Sequence, residues 1–219
     1  MNKKLTMLCK SSVISLLLFM CLPGGPAMAK DSISIGMRLE PAPGLDPTTG
    51  AAAAISQVTL YNIFEGLTRL DGGGGVHPLL AKSWDISADG ATYTFSLEEG
   101  VTFHNGSSFD SADVKAQFER NAAEDSSNKT KKLFSSIKSI TTPDAHTVKI
   151  TLSSANALLP FFLAQATAVI LDQEAFADAN TNPIGTGPYK FVKWTKGDSV
   201  SMEKYGQHRN AGNVQIKQV

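Results

Sequence analysis

Cysteine is nearly absent, and its two occurrences, Cys9 and Cys21, both lie near the start of the 219 residues. Residues 1–29 read as an export signal. Lys3, Lys4 and Lys10 make a basic start, residues 13–22 an apolar run, and Ala27-Met28-Ala29 a small-residue cleavage site. That run is about half of the roughly twenty residues that span a bilayer. Phe19 and Met20 are bulkier than the small residues expected before a lipid-attachment cysteine at Cys21, which favours a soluble mature protein in the periplasm. The mature chain, 30–219, then has neither disulfide nor thiol ligand, and its stability must come from an ordinary core.

A basic excess is missing too. The chain has 20 Lys and Arg against 20 Asp and Glu, and cleavage removes three lysines and no acid, leaving 17 basic residues and a charge near −3. That balance argues against a nucleic-acid partner. Four histidines, His77, His104, His146 and His208, are scattered without ligand spacing, so no metal site is expected. The glycines at 72–75 lack the Lys-Ser/Thr of a phosphate-binding loop, and no cofactor is expected.

What the chain does have is concentrated at 80–120, LAKSWDISADGATYTFSLEEGVTFHNGSSFDSADVKAQFER. Trp84, then Tyr93, Phe95 and Leu97 at period two, then Val101 and Phe103, predict half-buried strands facing one core. Asp89-Gly90 and Asn105-Gly106 predict type I′ turns, in which both central residues take positive φ. Asp110 or Ser111 caps a helix whose Val114 and Phe118 share a side. Further along, a strand is expected at 32–37, a helix at 51–64, a strand at 67–70, an exposed loop at 124–132, and a hairpin at 137–152. A short helix near 158–164, a buried strand at 169–171, a short helix at 173–177, two strands at 187–204 and an interrupted strand at 214–219 follow. The fold class is mixed, α/β or α+β, with a β-rich subdomain.

The same segment resembles the signature of the bacterial extracellular solute-binding proteins of family 5, receptors of ABC importers for peptides, nickel and dipeptides. The resemblance is carried by LAKSW, the D-G turn, G-V-T-F-H-N-G and F-D-S-A-D-V. LEPAPGLDPTTG at 39–50, LYNIFEGLTRLD at 60–71 and PIGTGPYKFVKW at 183–194 add to it. It implies a periplasmic binding protein type II-like fold with the first lobe only, the second lobe missing, so that 30–219 would be a truncated N-terminal lobe. It further implies a monomeric receptor that holds a small-molecule solute between two lobes without chemistry and delivers it to an ABC permease in the inner membrane. A short peptide leads as solute, with metal chelates, opines and sugars open.

In relatives the loop after the first strand contributes solute contacts, which makes Arg38 and Glu40 candidates for the charged ends of a peptide. Gln165 and Thr167, where relatives turn a loop toward the cleft, are candidate hydrogen-bond donors. Gly185-Thr186-Gly187 reads as structural first, and Tyr61, Phe64 and Trp84 as core. Two readings compete: a non-binding remnant or secreted interaction module, and a hydrolase built on His104 with Ser107, Ser108 and Asp110. The latter lacks a nucleophile elbow, and a histidine that bonds its own turn is the expected role of His104.

Overall fold

The computed structural model describes residues 31–50 and 52–219. The expected export signal, with Cys9 and Cys21, lies outside them, as does Ala51. In chain order, α1 (Ala53–Thr59) leads to an antiparallel pair, β1 (Thr68–Leu70) and β2 (Val76–Pro78). A four-stranded antiparallel sheet follows, made of β3 (Ala81–Ile86), β4 (Thr92–Leu97), β5 (Ile137–Asp144) and β6 (Thr147–Leu152) in the spatial order β3-β4-β6-β5. Between β4 and β5 run α2 (Ser111–Ala122) and α3 (Lys131–Ser135). After β6 come α4 (Leu159–Phe162), single 3-10 turns, and the hairpin of β7 (Tyr189–Thr195) and β8 (Ser199–Lys204).

Alternation builds the sheet. Tyr93, Phe95 and Leu97 of β4 are fully buried while Thr92, Thr94 and Ser96 between them are half-buried. Those side chains join Phe103, Phe118, Phe134 and Ile150 in one apolar cluster under α2. A second cluster gathers Leu45, Val58, Ile63, Phe64, Val169 and Leu171 against Met202 of the β7–β8 hairpin. Phe64 is core as expected, and Trp84 packs half-buried on the first cluster. Tyr61 is half-buried, donating its hydroxyl to the Ala164 carbonyl at 2.9 Å and accepting from the Leu70 N–H at 3.0 Å. Of the two candidate caps of α2, Asp110 takes the position. Its carboxylate accepts from the Ala112 N–H at 2.7 Å, and Asp113 reaches back to the Asp110 N–H at 2.9 Å.

Several expectations need correction. The turns at 87–90 and 103–106 are not type I′, because only Gly90 (φ 69) and Gly106 (φ 91) have positive φ, while Asp89 and Asn105 do not. Each closes an i to i+3 bond, Gly90 N–H to Ser87 O and Gly106 N–H to Phe103 O, with the glycine last; the loops, closed by Ser87 N–H to Thr92 O and Phe103 N–H to Ser107 O, are longer than a two-residue hairpin. The helix expected over 51–64 stops at Thr59, since Leu60 turns extended and Tyr61 adopts φ 61.

Residues 32–37 do not form a strand. Only Ser32 bridges, to Gln218, and among the described residues nothing covers Ile33, Ile35, Met37 and Leu39, which are 46, 67, 41 and 69% exposed. The stretch at 124–132 is not uniformly exposed either. Asn128 is buried, its carboxamide oxygen accepts from the Thr130 N–H, and its Nδ2 donates to the Thr167 carbonyl. Residues 169–171 are buried as expected, but their only ladder contact is Ile170 with Glu65. Residues 217–219 do lie against β8, with mutual bonds between Met202 and Val219 of 2.8 and 3.0 Å.

Candidate functional site

The first pair of candidates sits on the loop that follows residue 37. Asp46, fully buried, makes that loop rigid: one carboxylate oxygen accepts from the Thr48 N–H and hydroxyl, the other from Arg120 of α2 at 2.7 Å. The Arg120 guanidinium also donates to the Thr48 hydroxyl and lies 4.6 Å over the Phe176 ring. On this base Glu40 reaches the β7–β8 hairpin, accepting from the Trp194 indole N–H at 3.0 Å and the Gly197 N–H at 2.8 Å. Arg38 is exposed and, among the described residues, has neither a carboxylate nor a hydrogen-bond partner.

The second pair stands elsewhere. Thr167 accepts through its carbonyl from Asn128 and through its hydroxyl from Thr130 at 2.9 Å, which ties it to the segment before α3. Gln165 is half-buried, with a long 3.4 Å contact from its Nε2 to the Phe161 carbonyl. No hydrogen bond or ion pair among the described residues joins one pair of candidates to the other.

His104 does not bond its own turn. Its Nε2–H donates to the Gly187 carbonyl at 2.9 Å, its Nδ1 accepts from the Gly185 N–H at 3.4 Å, and its main-chain N–H donates to the Gly185 carbonyl. The ring spans two loops far apart in sequence. Burial pushes its pKa down to about 4, against the smaller opposing effects of the Gly187 bond and the Glu65 charge. Ser107 instead donates to Asn105 and Asp172, and Asp110 caps α2, so the imagined hydrolase group is not assembled. Gly185 and Gly187 are structural as expected. A Cβ on Gly185 would collide with the Ile63 carbonyl oxygen and one on Gly187 with that of Asn62, and the Gly187 N–H donates to the Ile63 carbonyl.

Glu65 went unrecognised in the sequence. It is 3% exposed and takes a two-pronged bond from Arg209, both prongs 2.8 Å, plus the Thr186 hydroxyl at 2.9 Å. Burial alone pushes its carboxyl up. The nearby His208 ring, whose Nε2 lies 3.7 Å from Oε1, the bonds and charge of Arg209, and the Thr186 hydroxyl outweigh that and hold it below the usual range. A signal was present: Glu65-Gly66 interrupts the apolar run Ile63, Phe64, Leu67, where a lone acid must find a buried partner. The resulting cluster locks residues 205–209 onto the 102–108 turn, where the Tyr205 hydroxyl donates to the Phe103 carbonyl at 2.7 Å.

Among the described residues no group of three or more His, Cys, Asp or Glu is placed to hold a metal ion, and no helix is long and apolar enough to cross a membrane. The polar clusters brace loops and carry no assembled nucleophile. Against known proteins, a family model described as bacterial extracellular solute-binding proteins, family 5 (middle), matches residues 75–219. The chain belongs to that family. It is 36% identical over 189 residues to the glutathione-binding protein GsiB of Pectobacterium atrosepticum, covering 84% of this chain and 36% of that protein. The structure of AgaA from Agrobacterium tumefaciens R10 with agropinic acid superimposes with TM-score 0.76 and 32% identity, over 81% of this chain and 36% of the other. NikZ from Campylobacter jejuni with Ni(L-His) gives 0.73 and 33%, over 83% and 37%. The family 5 chain spans a little over a third of the length of these relatives, and its fold is that of their first lobe.

Proposed function

We propose that this family 5 protein acts in the periplasm as the solute-holding part of an ABC importer's receptor, gripping a short peptide without breaking a bond and presenting it to a membrane permease. The observation that carries this reading is the 36% identity to a glutathione-binding protein across 84% of the chain. In this reading Arg38 leads: Glu40 is engaged by the β7–β8 hairpin, whereas Arg38, on a loop braced by Asp46 and Arg120, has no partner among the described residues and would take a solute carboxylate. Gln165 and Thr167 add polar contacts in this reading, with the Thr167 hydroxyl shared with Thr130.

Trp194 provides the test, since its indole bonds Glu40, two residues from Arg38. In a Trp84→Phe background, titration with glutathione and with di- and tripeptides should change Trp194 fluorescence saturably, and Arg38→Ala should abolish the change while leaving far-UV circular dichroism intact. No saturable change in the parent would overturn the peptide reading. A second reading, a secreted interaction module that holds no solute, is favoured by the exposed row of Ile33, Ile35, Met37 and Leu39.

A further inference from the structure

An open groove of about 460 Å³ runs between α3 and the loop after β6, lined among others by Thr130, Lys132, Leu133, Ser154, Asn156 and Phe162. Its two walls differ in charge. Residues 126–139 carry four lysines and no acid, and residues 153–171 carry no charged side chain. No carboxylate therefore lines the groove, and Lys132 has no ion-pair or hydrogen-bond partner among the described residues. The Ser154 hydroxyl, the Asn156 Nδ2 and the main-chain N–H groups of Ser154 and Ala155 are likewise without partners there, although Asn156 Oδ1 is engaged by the Leu158 N–H. The open donors share residues 154–155 with the Ser154 and Ala155 carbonyls, which also have no partner among the described residues, so Lys132 is the group that selects for an anion; the apolar surface beside them comes from Leu133 and Phe162, the latter edge-on to Phe161 at 5.7 Å.

A second groove, about 490 Å³ around His104 and Tyr205, contrasts with this. Its Lys190 is paired with Glu203 at 2.8 Å, and its Lys204 donates to the Val214 carbonyl. Its charges are answered from within the chain.

We infer that the α3 groove binds a small carboxylate with an apolar body: the carboxylate takes Lys132 and the donors of residues 154–156, and the apolar body lies on Leu133 and Phe162. A volume of this size is in the range of small-molecule sites, roughly 300–1,000 Å³. A cation with neighbouring neutral donors selects an anion, while Leu133 and Phe162 select what the anion is attached to. Neither Arg38 nor Glu40 lines the groove, although Thr130, which does, donates to Thr167 of the second candidate pair.

The test is amide NMR of the isotope-labelled protein titrated with N-acetyl-L-phenylalanine, its uncharged amide, and inorganic phosphate. Saturable shifts are expected at residues 130–136 and 153–156 with the acid. Binding should be at least about threefold weaker with the amide, with phosphate, and in Lys132→Gln, a factor in keeping with one partly solvated charge-assisted contact. Ser154→Ala should weaken it in the same direction. Equal binding of acid and amide, phosphate binding as tightly as the acid, an unaltered Lys132→Gln, or no saturable shift at these residues would each overturn the assignment.

Discussion

His104 contributes a stability that should fall on mild acidification. In the folded chain burial holds its pKa near 4, against an ordinary value of 6.5. Above about pH 6.5 the ring is neutral in both states and contributes no pH dependence. Between there and about pH 4 the unfolded chain takes up a proton that the folded chain refuses, so unfolding is favoured as pH falls. A gap of about two and a half pH units, at roughly 1.4 kcal/mol each, amounts to about 3 kcal/mol at pH 4. Asp113 opposes this. Burial is the main cause that raises its carboxyl to about 6, so between that pH and 3.8 the folded state takes up the extra proton and stability rises as pH falls. The two must therefore be separated. Urea unfolding of Asp113→Asn and of Asp113→Asn/His104→Gln, from about pH 7.5 to 4, isolates the histidine. The single variant should lose about 3 kcal/mol more over that range than the double variant. Equal losses in the two would refute the assignment of a buried neutral ring bridging Gly185 and Gly187.

Three further outcomes follow from named contacts. Glu65→Ala strands the Arg209 guanidinium and the Thr186 hydroxyl and should cost about 3 kcal/mol in chemical denaturation, with Glu65→Ala/Arg209→Ala costing less than the sum of the single changes. Asp110→Ala removes the cap of α2 and should cost about 1 kcal/mol, which should read as a proportionate drop in the urea midpoint. Gly187→Ala drives a methyl into the Asn62 carbonyl and should lower the thermal midpoint by more than Gly212→Ala, a position open to solvent in the same assay.

The β4 alternation, the α2 cap and the β7–β8 hairpin were all legible because each is a local rule: period two, a side-chain acceptor at a helix start, a glycine turn. The short α1 was not, since what stops it is the tertiary demand that the Tyr61 hydroxyl reach Ala164 and Leu70. Residues 32–37 alternate as a strand does, but a strand also needs a neighbour, and among the described residues only Gln218 supplies one. At the candidate site, the family resemblance pointed to Arg38 and Glu40 together. The indole of Trp194, more than 150 residues away in sequence, bonds Glu40 and not Arg38, and no local pattern announces it.

Titration calorimetry of the purified protein with glutathione and a set of di- and tripeptides tests the receptor reading most directly. The account predicts a saturable heat for at least one peptide, removed by Arg38→Ala. Heats of dilution alone, from protein that unfolds cooperatively and is therefore folded, would contradict it.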